Sequence, residues 1–298
     1  MNDRYSLGWI PDYPDFRDYT EETKEVRQIL KPSGLLFGAA GKKSPKTKPL
    51  PAMVNLRQWC SPVEDQGQLG SCTAHAGVGI IEYYERKSFG RHIAASRLFL
   101  YKVTRNLMKM RGDTGAYLRS TIGAMVLFGV PPEEYWPYRD SAQDFDAEPP
   151  AFCYSFAQNY KTIKYYRHDP PPAAPEAILN RVKTYLAAGH PAMFGFTVYS
   201  SIEQANDSGQ IPFPSPRDRI EGGHAIMAVG YDDRMKIKNR FGGDETTGAL
   251  LIRNSWGKDW GEDGYGWLPY EYVLRGLAED FWSVLKKEWI DTGQFLTL

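Results

Sequence analysis

Apolar positions recur with a helical period in the first half of this chain and with a strand period in the second. In CTAHAGVGIIEYYERK, residues 72–87, Ala74, Val78, Ile81 and Tyr84 share a helical face, so a helix is predicted from about Cys72. A second helical pattern covers Leu118–Phe128 and stops at Gly129, ahead of Pro131 and Pro132. A third spans Ala174–Ala188 and is closed by Gly189 and Pro191. Strand patterns follow: MFGFTVY (193–199), HAIMAVGY (224–231), ALLIRN (249–254) and YGWLPY (265–270), bounded by Gly and Asp clusters. Residues 139–175, rich in Pro, Asp and Ala, are expected to form loops around an aromatic stretch, Tyr154–Tyr166. Helices first and strands afterwards imply an α+β fold of two lobes.

Ahead of this pattern lie about 50 residues of different character. Residues 1–37 mix aromatics with charges and hold one plausible short helix, over Thr20–Leu30. GAAGKKSPKTKPLP, from Gly38 to Pro51, reads as an exposed linker. A solvated tether is the favoured reading, and a processing site at its lysines is the sharper one. The expected division is an arm over 1–50, with a flexible linker at 38–51, and one catalytic domain over 51–298.

Composition narrows the function classes. With 298 residues, 42% hydrophobic and 14% aromatic, the chain has material for a large core, which excludes disordered and fibrous classes. Lys+Arg and Asp+Glu are both 36, so the formal charge is zero and no nucleic-acid or membrane partner is indicated. The opening MNDRYSLGWIPDYPDF lacks the apolar run of a secretory signal, and no later stretch reaches the roughly 18 apolar residues of a membrane span. The expectation is a soluble chain, cytoplasmic or exported without an N-terminal Sec signal. Three cysteines, Cys60, Cys72 and Cys153, are too few for a disulfide framework, so free thiols are the default. Whether Cys60 and Cys153 pair stays open at this level. No Cys/His cluster has zinc spacing, and no cofactor is called for.

Cys72 stands in unusual surroundings. DQGQLGSCTAHA puts it after Gly67, Gly70 and Ser71, at the first turn of a helix. Orphan N–H groups and the positive end of the helix dipole there favour a thiolate, the nucleophilic form. Gln66 offers a side-chain N–H to a developing oxyanion, with the Cys72 backbone N–H as a second donor. His224, in EGGHAIMAVGYDD, opens one strand, and Asn254, in ALLIRNSWGKDWGEDGYG, ends the next. If those strands pair antiparallel, the two side chains become neighbours. The Asn carbonyl then fixes the imidazole tautomer, and Trp256 shields that bond from water. Singly, each residue has a blander reading: a buried thiol, a strand-edge histidine, a turn asparagine. The set together is poorly explained that way.

These segments resemble the papain family of cysteine peptidases. LGSCTA is similar to its Cys signature, GGHAIMAVGYD to its His segment and NSWGKDWGEDGYG to its Asn segment, in register from about Pro51 to Trp282. The resemblance implies a papain-like two-lobe fold, a helical lobe with Cys72 and a β-barrel-like lobe with His224 and Asn254, the active-site cleft between them. It also implies peptide-bond hydrolysis through a thioester without a cofactor, with peptides or proteins as substrates. By position, Gln66 joins the oxyanion hole, Trp256 shields Asn254, Trp260 borders the primed side, and Gly115 and Gly223 line the substrate path. There are departures. Leu69 replaces a cysteine, removing the usual disulfide, and Thr73 replaces an aromatic. Gly223 replaces a common Asp or Asn, which is expected to shift the pH range of the ion pair. His75 takes the place of a core aromatic and reads as a packing residue. A catalytically silent peptide-binding protein and a thioester-forming acyl transferase are the competing functions on the same fold.

Residues 1–50 occupy the position of the family's inhibitory prosegment, although its helix motif is absent. Pro11 and Pro14 forbid helix in GWIPDYPDFRDY, so this segment is expected to run extended. It either covers the cleft, anchored by Tyr13, Phe16 and Tyr19, or wraps a lobe away from it.

Overall fold

A computed structural model describes residues 6–31, 49–141, 144–160, 164–286 and 292. Most of the 38–51 linker lies outside the described residues. After a short helix α1 (Lys24–Leu30) and strand β1 (Met53–Asn55) come three helices, α2 (Cys72–Phe89), α3 (Arg97–Leu107) and α4 (Leu118–Leu127). They are followed by α5 (Ala151–Ala157), β2 (Lys164–Arg167) and α6 (Pro175–Ala187). The remaining elements are β3 (Ala192–Tyr199), β4 (Ile220–Ile237), β5 (Thr246–Arg253), β6 (Tyr265–Pro269), α7 (Tyr270–Leu274) and β7 (Ala278–Leu285). The fold is α+β, with helices gathered in the first half and a sheet in the second.

Helix α2 is buried on all sides from Cys72 to Tyr84, its polar Thr73, His75 and Glu82 included. Gly90, left-handed at φ 72°, ends it and returns its N–H to the Arg86 carbonyl. Helix α3 escapes the apolar pattern because its buried face carries charge. Arg97 pairs with Glu82 at 3.2 Å, and Lys102 and Arg105 reach Asp146 at 2.9 and 2.8 Å. Its N-cap, Ser96, accepts from the Phe99 N–H at 3.1 Å. The stretch expected to be loops around Tyr154–Tyr166 instead contains α5 and β2.

The sheet has seven antiparallel strands in the order β2-β7-β3-β4-β5-β6, with β1 added on β4. It is open, not a closed barrel: among the described residues β2 and β6 are its free ends. Strand β4 is its spine. One edge takes β3 along Ile220–Ala228 and β1 along Gly230–Asp232, and the other edge takes β5. Bulges beside Gly230 and between Asp232 and Lys236 bend it.

The N-terminal arm is extended from Gly8 to Ile10, but two of its expected anchors fail. Tyr13 and Phe16 are 89% and 97% exposed. Tyr19 stacks on Tyr165 at 5.6 Å. The holding contacts lie elsewhere. Trp9 is buried, and Asp12 and Asp18 both pair with Arg119, at 3.0 and 2.7 Å. Ion pairs, the Trp9 indole and the Tyr19 stack do the anchoring.

Candidate active site

Cys72 is the first residue of α2, so the orphan N–H groups of that turn surround its sulfur. The Ala225 backbone N–H, at the start of the buried run of β4, donates to Sγ at 3.4 Å. Pairing of β4 with β5 sets Met227 opposite Arg253. The residues just before Met227 and just after Arg253 therefore meet at one end of the sheet. There the His224 Nε2 and Asn254 Oδ1 are 2.8 Å apart. The Ser255 N–H also donates to Asn254 Oδ1, at 2.9 Å, which keeps the amide oxygen turned toward the ring. Nδ1 of His224 has no hydrogen-bond partner among the described residues. Trp256 stacks on the imidazole at 4.5 Å, and Trp260 packs edge-on against Trp256 at 5.5 Å.

Gln66 is buried and held from both ends. Its Oε1 accepts from Ser255 Oγ at 2.5 Å, and its Nε2 donates to the Leu69 carbonyl at 2.8 Å. The same Nε2 donates to the carbonyl of Ser6 in the arm, at 3.0 Å. The arm continues across the Cys72 side of the molecule. Gly8 and Trp9 N–H groups both donate to the Gly223 carbonyl, at 3.1 and 3.0 Å. The Ala116 N–H donates to the Gly8 carbonyl at 2.7 Å, and the Ile10 N–H to the Ala116 carbonyl at 3.1 Å. Gly115 does not make this ladder: its own N–H donates to Tyr101 Oη at 3.0 Å. Its missing Cβ matters instead, because one would sit 2.3 Å from the Gly8 carbonyl oxygen. A cavity of about 810 Å³ runs beside the arm, lined by Leu7, Val198, Ile202, Glu203, Arg219 and Glu221 among others.

Burial dominates the electrostatics. It pushes the Cys72 thiol up to about 12, against hydrogen bonds from the Ala225 and Gly8 N–H groups that favour thiolate. It pushes His224 down to about 4, against the Asn254 bond that favours imidazolium. With the arm in place the pair is therefore neutral thiol and neutral imidazole. Cys60 and Cys153 are free, buried, and raised by desolvation as well. His75, one turn along α2, is buried and edge-on to Tyr138 at 5.1 Å, with Nδ1 3.3 Å from Ser71 Oγ.

Sequence reasoning missed three contributors. Ser255 fixes Gln66, and its place inside NSWG is the signal that was available. Trp9 and Asp280 meet at 3.3 Å, indole Nε1 to carboxylate Oδ2, from residues 271 apart in the chain. No local pattern marks such a pair.

A helix-borne thiol beside a strand-borne imidazole and amide, on a fold of helices against an antiparallel sheet, defines a thiol-dependent hydrolase of the two-lobe type. Comparison with known proteins gives the family. The model for papain family cysteine proteases matches residues 50–279, and this chain belongs to that family. A peptidase C1-like protein of Acanthamoeba polyphaga mimivirus is 34% identical over 238 residues, 78% of this chain and 72% of the viral one. Cathepsin K of Gallus gallus is 28% identical, the match spanning 72% of this chain and 58% of the cathepsin. In three dimensions the chain is similar to xylellain, a cysteine protease from Xylella fastidiosa. The TM-score is 0.71, the identity 33%, and the coverage 94% of this chain and 96% of that one.

Proposed function

We propose that this cysteine peptidase cleaves peptide bonds through a thioester on Cys72, with His224 as base and acid, and that its arm holds it latent. The observation that carries the chemistry is the 2.8 Å bond from His224 to Asn254, with Nδ1 left unpartnered. Asn254 accepts from the protonated Nε2, so Nδ1 is the nitrogen that takes the thiol proton. The thiolate attacks the carbonyl carbon and the C–N bond breaks. The amine leaves with the proton from His224, and water then opens the thioester with His224 again as base. Gln66 Nε2 and the Cys72 N–H stabilise the oxyanion in both steps.

Latency rests on what the arm occupies. The Ser6 carbonyl takes the Gln66 donor, and the Gly8 and Trp9 N–H groups are tied to the Gly223 carbonyl, the residue before His224. A substrate that enters this path must first displace the arm. The test is intact mass after exposure of the full chain to a peptidyl epoxide, with Cys72→Ala as control. Slow labelling at Cys72 that becomes fast after cleavage in the 38–51 linker supports both parts. Fast labelling of the uncut chain sinks latency, and products carrying added amines in place of water would make the protein an acyl transferase.

A further inference from the structure

Ser71 stands at the N-cap of α2, yet its side chain makes no cap bond. Its hydroxyl is used elsewhere, and the protons can be counted. Tyr138 Oη donates to the Gln66 carbonyl at 2.8 Å, which uses its one proton. Tyr138 Oη and Ser71 Oγ lie 2.7 Å apart, so Ser71 is the donor there and its proton is used too. His75 Nδ1 is 3.3 Å from Ser71 Oγ and 3.2 Å from the Ser71 carbonyl oxygen. Neither oxygen has a proton left to give, so Nδ1 carries the hydrogen and donates. His75 is buried, and desolvation together with the nearby Arg97 holds it well below the ordinary histidine range, so Nδ1–H is its only ring proton. Nε2 is then a bare acceptor, without a hydrogen-bond partner among the described residues. The chain of donors runs one way, from His75 through Ser71 and Tyr138 to Gln66.

We propose that His75 is a positioning residue for the oxyanion hole, which sets both donors of that hole, the Cys72 N–H and Gln66 Nε2, through Ser71 and Tyr138. The proposal rests on the reading of the site as a peptidase that works through a thioester. The Cys72 N–H belongs to the peptide whose oxygen is the Ser71 carbonyl. That oxygen accepts from the Ala74 and His75 N–H groups, at 3.0 and 3.1 Å, and from Nδ1 of His75 as a third donor. Three donors fix the plane of this peptide, and bonds to its oxygen polarise its N–H. Tyr138 joins the other half, tying the Gln66 carbonyl to the residue before the nucleophile. Because the Ser71 hydroxyl is drawn away from its helix, the N–H groups of the first turn stay open to the sulfur and the oxyanion. A phenylalanine at position 75 would fill the same space and keep the edge-on contact with Tyr138, but it would donate nothing.

The experiment uses the full chain with Gly8→Ala, which displaces the arm because the new Cβ would stand 1.9 Å from the Gly70 carbonyl oxygen. Hydrolysis of a fluorogenic peptide and alkylation of Cys72 by iodoacetamide are followed in parallel. His75→Phe in this background should lower kcat by about tenfold, less than the loss of an oxyanion donor itself, with KM little changed. Iodoacetamide reacts by displacement at carbon and forms no oxyanion, so its rate should stay within about twofold. His75→Asn returns an N–H near the place of Nδ1 and should recover most of the lost kcat. A packing role predicts the reverse order, since phenylalanine keeps the volume of the side chain better than asparagine does. His75→Phe at full kcat, or His75→Asn no better than His75→Phe, overturns the proposal. If His75→Phe does not fold, Tyr138→Phe breaks the same chain at its Gln66 end and should show the same split between kcat and alkylation. An unchanged kcat there refutes the role of His75. A Gly8→Ala parent that is alkylated yet hydrolyses no peptide would sink the peptidase reading and this proposal with it, whereas an active parent indifferent to His75→Phe sinks this proposal alone.

Discussion

Two polar clusters lie under the same arm, and burial treats them differently. At Cys72 and His224 the groups facing each other can lose charge by exchanging one proton, and desolvation holds both neutral. At the other cluster, Arg119 and Arg167 cannot give up their protons, so Asp12, Asp18, Asp169 and Asp280 are gathered around them. Four carboxylates against two guanidiniums is an excess. Asp280 absorbs the strain: desolvation and its acidic neighbours Asp12 and Asp169 push it up to about 7. Burial without a fixed countercharge leaves a site uncharged, whereas burial around arginine gathers carboxylates.

That contrast can be attacked from its uncharged side first. Cys72→Ala should lower peptide hydrolysis by roughly a thousandfold or more while leaving the arm docked, which limited proteolysis of the arm would report. Unlocking should come next in size. Gly8→Ala is expected to raise Cys72 alkylation at neutral pH roughly a hundredfold, as overpacking against Gly70 weakens docking by about 3 kcal/mol. The pH profile sharpens the point. In the closed chain the thiol titrates near 12 and His224 near 4, so alkylation should climb only toward strong alkali. In the opened chain water returns, the thiol falls and the imidazole rises, and reactivity should extend down through neutral pH. An identical profile for both chains would break the comparison.

Smaller effects separate orientation from locking. Asn254→Ala removes the acceptor that fixes the His224 tautomer, and kcat should fall by roughly 10- to 100-fold with KM little changed. A matching rise in KM would instead point to a damaged cleft. Arg119→Ala leaves Asp12 and Asp18 short of a partner, and should loosen the arm about tenfold in alkylation rate. Because Arg119 is partly exposed, moderate salt should reproduce part of that loosening.

The sequence made the sheet end of the site readable because the run 225–231 of β4 and the run 249–252 of β5 are apolar and pair antiparallel. His224 and Asn254 follow from that pairing. Helix α2 was legible because Ala74, Val78, Ile81 and Tyr84 recur at helical spacing. What stayed hidden was polar and distant. Helix α3 buries Arg97, Lys102 and Arg105, which break an apolar stripe unless their partners Glu82 and Asp146 are known. Strand β7 begins Ala278-Glu279-Asp280, and only its bulge against β3 explains an acid inside a core strand. Trp9 looked no different from Tyr13 or Phe16 until the fold supplied Gly195 beneath it.

The backbone bonds that tie Gly8, Trp9 and Ile10 to Gly223 and Ala116 have a consequence for dilution. The arm belongs to the same chain as the surface it crosses, so its docking is an intramolecular event with an effective concentration fixed by the connecting residues. Dilution releases a separate binder but leaves this one where it is, until the connection is cut.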